Sequence, residues 1–166
     1  TGNLDGRWEG DGLHAVLLQA ETRYSPRQRP QALFFASARG AVAEHPDLDH
    51  QLLLGGDNGL RGYPLRYQSG TASVLFTAEE RFYTGWYPFR LFRVGAAAFA
   101  DAGRTWGRDF AGEEPLGWLS DVGFGLRIGN SRSGLGNVLH IDLAVPLVRQ
   151  PGIDQVQLLV ETRQSF

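Results

Sequence analysis

Strict two-residue alternation constrains this chain more than any other feature. Between about residues 118 and 129, Val122, Phe124, Leu126 and Ile128 alternate with Asp121, Gly123, Gly125 and Arg127. Successive side chains of a strand point to opposite faces, whereas a helix groups residues three and four apart. The segment is therefore expected to be a strand with one apolar and one polar face. Similar patterns recur at about residues 13–24, 31–42, 70–82, 89–102, 137–148 and 155–166. No stretch carries a helical period of comparable quality. The expected class is all-β and antiparallel, with seven strands.

The polar faces decide what kind of sheet this is. They carry Glu21, Arg23, Arg39, Glu79, Arg81, Arg93, Asp101, Asp121, Arg127, His140, Asp142, Glu161 and Arg163. A solvated face is normally rich in lysine, serine and threonine. Here all 16 basic residues are arginine, which suits bidentate, partly buried pairing better than lysine does. That is the inventory of a wet, ion-paired lumen. Aromatic residues gather near strand ends, with Tyr24, Phe82, Tyr83, Trp86 and Tyr87 at one end and Trp106 and Trp118 towards the other. Such girdles flank the apolar band of outer-membrane barrels. Short connections (25–30, 83–88, 130–136) alternate with long ones (43–69, 103–117), as periplasmic turns and extracellular loops do. A transmembrane β-barrel is the favoured reading, with a soluble β-sandwich binding module as the alternative.

Composition closes off other classes. A chain of 166 residues can bury a respectable core. The net charge of −2 argues against nucleic acid as a partner. Without cysteine there is no disulfide, thiol nucleophile or thiolate metal site. No apolar run approaches the ~20 residues of a spanning helix, and no charged-then-apolar leader opens the chain. The opening Thr1-Gly2-Asn3-Leu4-Asp5-Gly6 reads like the middle of a loop, so the chain is expected to be a piece of a longer protein. His14, His45, His50 and His140 show no metal-binding spacing. There is no Gly-x-Ser-x-Gly elbow and no phosphate loop. No catalytic, cofactor or metal site is expected.

One loop stands out. Leu54-Gly55-Gly56-Asp57-Asn58-Gly59-Leu60-Arg61-Gly62-Tyr63 packs four glycines, two turn-forming polar residues, an arginine and an aromatic into ten positions. Glycine accepts φ > 0 and close backbone approach, and Asp-Asn-Gly favours tight turning. The pattern predicts a loop folded into a crowded place with Arg61 delivered at its tip.

Leu60-Arg61-Gly62-Tyr63, preceded by Gly55-Gly56, resembles the Arg-Gly-aromatic motif of the bacterial surface antigen superfamily, the BamA/TamA-type outer-membrane assembly factors and their two-partner-secretion relatives. Phe99-Ala100-Asp101-Ala102-Gly103 is similar to the aromatic-x-Asp-x-Gly signature of that family, and Glu79-Glu80-Arg81 to its acidic position. The chain closes on Phe166, as outer-membrane substrates of the assembly machinery do. The resemblance spans about residues 13–166. It implies the last seven strands of a sixteen-stranded barrel in the bacterial outer membrane, with residues 43–69 as an extracellular loop folded back into the lumen. It also implies insertion or translocation of polypeptides, without chemistry or cofactor. The implied partners are outer-membrane lipid, unfolded β-barrel or secreted polypeptides, and N-terminal strands and domains outside this chain. A passive pore, or a membrane anchor for an N-terminal module, is the second reading.

Strand parity, independently of any family, sets Glu79 and Asp101 on the polar face. A buried Arg61 would be costly without such partners, and an arginine–carboxylate fork is geometrically exacting. Two roles are open for it: a fixed clamp that locks the loop, or a clamp that engages and releases during conformational cycling. Departures from the family pattern are Gln164, where an apolar residue is usual, and Pro146, tolerable only where its missing N–H falls at a rim or bulge.

Overall fold

A computed structural model describes residues 2–9, 12–24, 32–44, 52–86, 88, 91–108, 115–130, 137–149 and 152–164. Among them the chain is all-β. The strands are β1 (Gly2–Glu9), β2 (Gly12–Tyr24), β3 (Ala32–Glu44), β4 (Leu52–Leu54), β5 (Gln68–Gly70), β6 (Ala72–Tyr83), β7 (Phe92–Trp106), β8 (Leu119–Asn130), β9 (Asn137–Pro146) and β10 (Gln157–Gln164). Eight form one antiparallel sheet in the order β1-β2-β3-β6-β7-β8-β9-β10, while β4 and β5 pair as a small ladder of their own. Apart from that excursion every strand pairs with its neighbour in sequence. Each connection is a hairpin.

Two expectations need correcting. Residues 2–9 form a strand rather than part of a loop, so among the described residues the sheet has eight strands where about seven were expected. Glycine and Asx residues there mimic a turn, but pairing with β2 sets Leu4 opposite Leu18 and Gly6 opposite Val16. The strand after Pro88 begins at Phe92 and continues past Gly103 to Trp106. Pairing of Ala72 with Trp106 extends it beyond the point where glycine signalled an end. Pro146 is the last residue of β9, where its missing donor interrupts no ladder.

The alternation has an inverted outcome. Along β7, Ala97, Phe99, Asp101, Gly103 and Thr105 are buried, whereas Ala96, Ala98, Ala100 and Trp106 are exposed. On β8, Asp121 and Arg127 are fully buried while Phe124 is 66% exposed. Glu79, His140 and Asp142 join the buried set, and Phe82, Leu126, Leu147, Leu158 and Val160 join the exposed one. Charge lies inside and hydrocarbon outside.

The polar face is concave. Phe35 and Arg39 of β3 and Glu161 of β10 line one cavity of about 300 Å³. These strands are five places apart in the sheet, about 24 Å if the sheet were flat, from a spacing of ~4.8 Å per strand. Only a curled sheet brings their side chains to one cavity. Aromatic residues mark both ends of the outer face. At one end Phe76 stacks on Trp118 at 6.4 Å and Trp118 meets Trp106 edge-on at 6.2 Å; at the other Tyr24, Phe82 and Trp86 are exposed.

Candidate functional site: a loop arginine in a cage of carboxylates

The connection between β3 and β6 lies over the concave face. Its base is the β4–β5 ladder, tied to β7 where Thr105 Oγ1 donates to Ser69 O at 2.9 Å and to the segment leading into β8 where Gln68 Nε2 donates to Gly117 O at 3.1 Å. Between them Gly56–Asn58 forms one 3₁₀ turn. The Gly55 carbonyl accepts from Asn58 N–H at 3.0 Å and Leu60 N–H at 2.9 Å, and Gly56 N–H donates to Pro64 O at 3.1 Å. Gly59 ends the turn at φ 111°, a left-handed conformation that side chains disfavour. The glycine run thus winds the loop into a compact knot, and Arg61 leaves it pointing at the sheet.

Hydrophobic burial contributes to the docking of the loop. Leu54, Leu60 and Tyr63 of the loop pack with Leu75 and Leu119 of the sheet. Burying side chains of this size stabilises by about 1.5–3 kcal/mol each. The Tyr63 hydroxyl lies 3.0 Å from Ser120 O and 3.1 Å from Val148 O, and its ring stacks on Tyr67 at 5.6 Å. Burial raises the pKa of that phenol above its ordinary value. Gly62 lies so close to β8 that a Cβ there would sit 2.5 Å from the Asp121 Cβ and 3.1 Å from Pro146 N. Only glycine fits between them.

Arg61, 3% exposed, is held on every side. Its Nε donates to Asp101 Oδ2 at 2.7 Å and Nη2 to Asp101 Oδ1 at 3.1 Å, a two-pronged fork. Its Nη1 donates to Glu79 Oε2 at 2.7 Å and to Asp142 Oδ2 at 3.3 Å. The guanidinium carbon stands 3.4 Å from the centre of the Phe99 ring, a cation–π contact. Burial works against the charge, but hydrogen bonding to Asp101 and the charges of Asp101 and Glu79 outweigh it. They hold the guanidinium more firmly protonated than in water.

A second, fully buried arginine braces the cage. Arg127 donates from Nη2 and Nε to Glu79 Oε1 at 3.0 and 3.2 Å, and from Nη1 and Nη2 to the Asp142 carboxylate. Arg81 Nε adds a 2.7 Å bond to Glu79 Oε1. Two glycines of β8 make room: a Cβ at Gly123 would strike the Phe99 ring, and one at Gly125 the Asp142 carboxylate. Asp121, paired in register with Asp101, is fully buried and packs directly against Gly62 of the loop.

The structure therefore brings Arg61 together with Glu79 and Asp101, the two polar-face carboxylates singled out as its partners. Gly55, Gly56, Gly62 and Tyr63 shape the loop around it, and Gly103 sits buried beneath Leu54 and Leu75, two residues along β7 from Asp101. Aspartate and glycine two apart serve one face, the first taking the arginine and the second seating the loop. Phe166 lies outside the described residues. Phe99, Asp142 and Arg127 also form the site; parity sets Asp142 and Arg127 on the polar face, and Phe99, two residues from Asp101, shares it, but nothing in the sequence links them to Arg61. Opposed charges buried at this level are roughly neutral for stability but exacting in geometry. The leucines contribute to docking, and the ion cage fixes where the loop lands.

No known protein family matches the chain, and no curated protein matches it.

Proposed function

We propose that this chain is the C-terminal barrel portion of an outer-membrane protein of the BamA/TamA type, which inserts or translocates polypeptides at the bacterial outer membrane. The observation that carries the reading is the inversion of the sheet: buried Glu79, Asp101, Arg127 and Asp142 behind an exposed face of Phe82, Phe124, Leu126, Leu147 and Leu158. Exposed apolar area on this scale mismatches water and matches lipid. The concave polar face, the aromatic residues at both ends of the outer face and the caged Arg61 support the same reading. So does the likeness of Leu60-Arg61-Gly62-Tyr63 and Phe99-Ala100-Asp101-Ala102-Gly103 to that family's signatures.

Eight strands curl without closing, since no pairing joins β1 to β10 among the described residues. The remaining strands of the barrel come from outside this chain. The protein would act without chemistry, by offering strand edges to an unfolded β-barrel or secreted polypeptide and by perturbing the surrounding lipid. The test uses the intact protein in liposomes of outer-membrane lipid, with an unfolded barrel substrate added. Accelerated substrate insertion, reduced by Arg61→Ala, is expected. Recovery of the intact protein from cells as a detergent-free soluble species would sink the membrane reading. Because the loop covers the polar face, a passive pore or anchor is the second reading; ion conductance without accelerated insertion would favour it.

A further inference from the structure

The Arg61 site is built almost entirely without the loop. Phe99 and Asp101 stand on β7, Glu79 on β6 and Asp142 on β9, all in the paired sheet. Arg127 and Arg81 bond Glu79, and Arg127 bonds Asp142, through contacts that do not involve Arg61. The loop contributes one guanidinium. Without it, Glu79 would keep its bonds to Arg81 and Arg127 and Asp142 its bond to Arg127, while Asp101 would lose both prongs of its fork beside the Phe99 ring. Beside the site lies the cavity of about 300 Å³, lined by Arg61, Glu79 and Asp101 with Asp57 and Glu161, and by Arg39 and Arg81. It gives a second side chain a route to the same carboxylates.

We infer that this cage is a receptor for a peptide arginine presented in trans, and that Arg61 is its tethered occupant. The fork on Asp101, the second contact on Glu79 and the stack on Phe99 read a planar guanidinium, and a lysine ammonium cannot reproduce them. An arginine of an incoming polypeptide would take the same bonds and displace the Arg61 side chain, loosening the loop around it. The inference rests on these contacts alone and does not need the outer face to meet lipid.

The test uses the intact protein, with N-acetyl-arginine-methylamide and its lysine counterpart as probes. Arg61→Ala is expected to bind the arginine probe saturably, with the lysine probe at least tenfold weaker. Asp101→Asn added to Arg61→Ala should abolish that binding. A side chain tethered on a loop competes at an effective concentration on the order of millimolar. In the wild type, therefore, tens of millimolar arginine probe should raise cleavage by an aspartate-directed protease at Asp57, and the lysine probe should not. This arm decides the matter if Arg61→Ala fails to fold. Equal binding of the two probes, binding indifferent to Asp101→Asn, or unchanged loop cleavage would overturn the inference. Failure of the liposome insertion assay would leave these results standing, so the two readings fail separately.

Discussion

On β7 the two faces of the sheet are one residue apart and obey different rules. Phe99, Asp101 and Gly103 each meet a particular neighbour: the Arg61 plane, the Arg61 fork and the Leu54 side chain. Ala96, Ala98 and Ala100 are exposed, and their face asks only that they be apolar. The inner face is specified by geometry and the outer face by solvent. Substitutions should therefore be judged by shape and partner on one side and by polarity alone on the other.

The largest break should come from Arg61→Ala. It strands Asp101 and removes one partner each from Glu79 and Asp142, and stripping one side of a buried ion pair costs about 3–5 kcal/mol. Protease access at Asp57 and chemical denaturation both read it. Arg61→Lys, keeping the charge but losing the fork, should recover only part of the loss. Next comes Phe124→Arg on the outer face, expected to cost about 2–4 kcal/mol in a bilayer and to show no comparable loss if that face meets water. Gly62→Ala should follow at about 1–3 kcal/mol, because the added methyl overpacks the contact with Asp121 and Pro146. Smallest is Val122→Leu on the outer face, within about 0.5 kcal/mol by the same denaturation measurement. A large effect there would mean that the outer face, too, has a fitted partner.

Much of this was legible from residue types alone. Period-2 alternation sorts Asp121 and Arg127 from Phe124 and Leu126 without any coordinates, because a strand has only two faces. It sorts Glu79 and Asp101 to the side where Arg61 arrives for the same reason. Alternation is silent about which members of a face meet. Arg127 and Asp142 sit on neighbouring strands, but their meeting with Glu79 around Arg61 depends on how sharply the sheet curls, which no single segment encodes. Phe99 shares the face of Asp101 by parity, but nothing in its own segment links it to the guanidinium that stands over it. The opening strand was hidden for an opposite reason. Gly2, Asn3, Asp5 and Gly6 favour turns locally, and pairing with β2 overrides that preference.

One nitrogen atom sets a limit on the shape of the whole sheet. Arg61 Nη1 touches Glu79 on β6 and Asp142 on β9, strands that a flat sheet would hold about 14 Å apart at ~4.8 Å per step. Any movement that opens the sheet draws those two carboxylates away from each other until a single nitrogen cannot span them. The arginine thus works as a tie across an arch. Flattening loosens the tie, and cutting the tie relieves the arch of one restraint on its bend, so loop position and wall curvature report on each other.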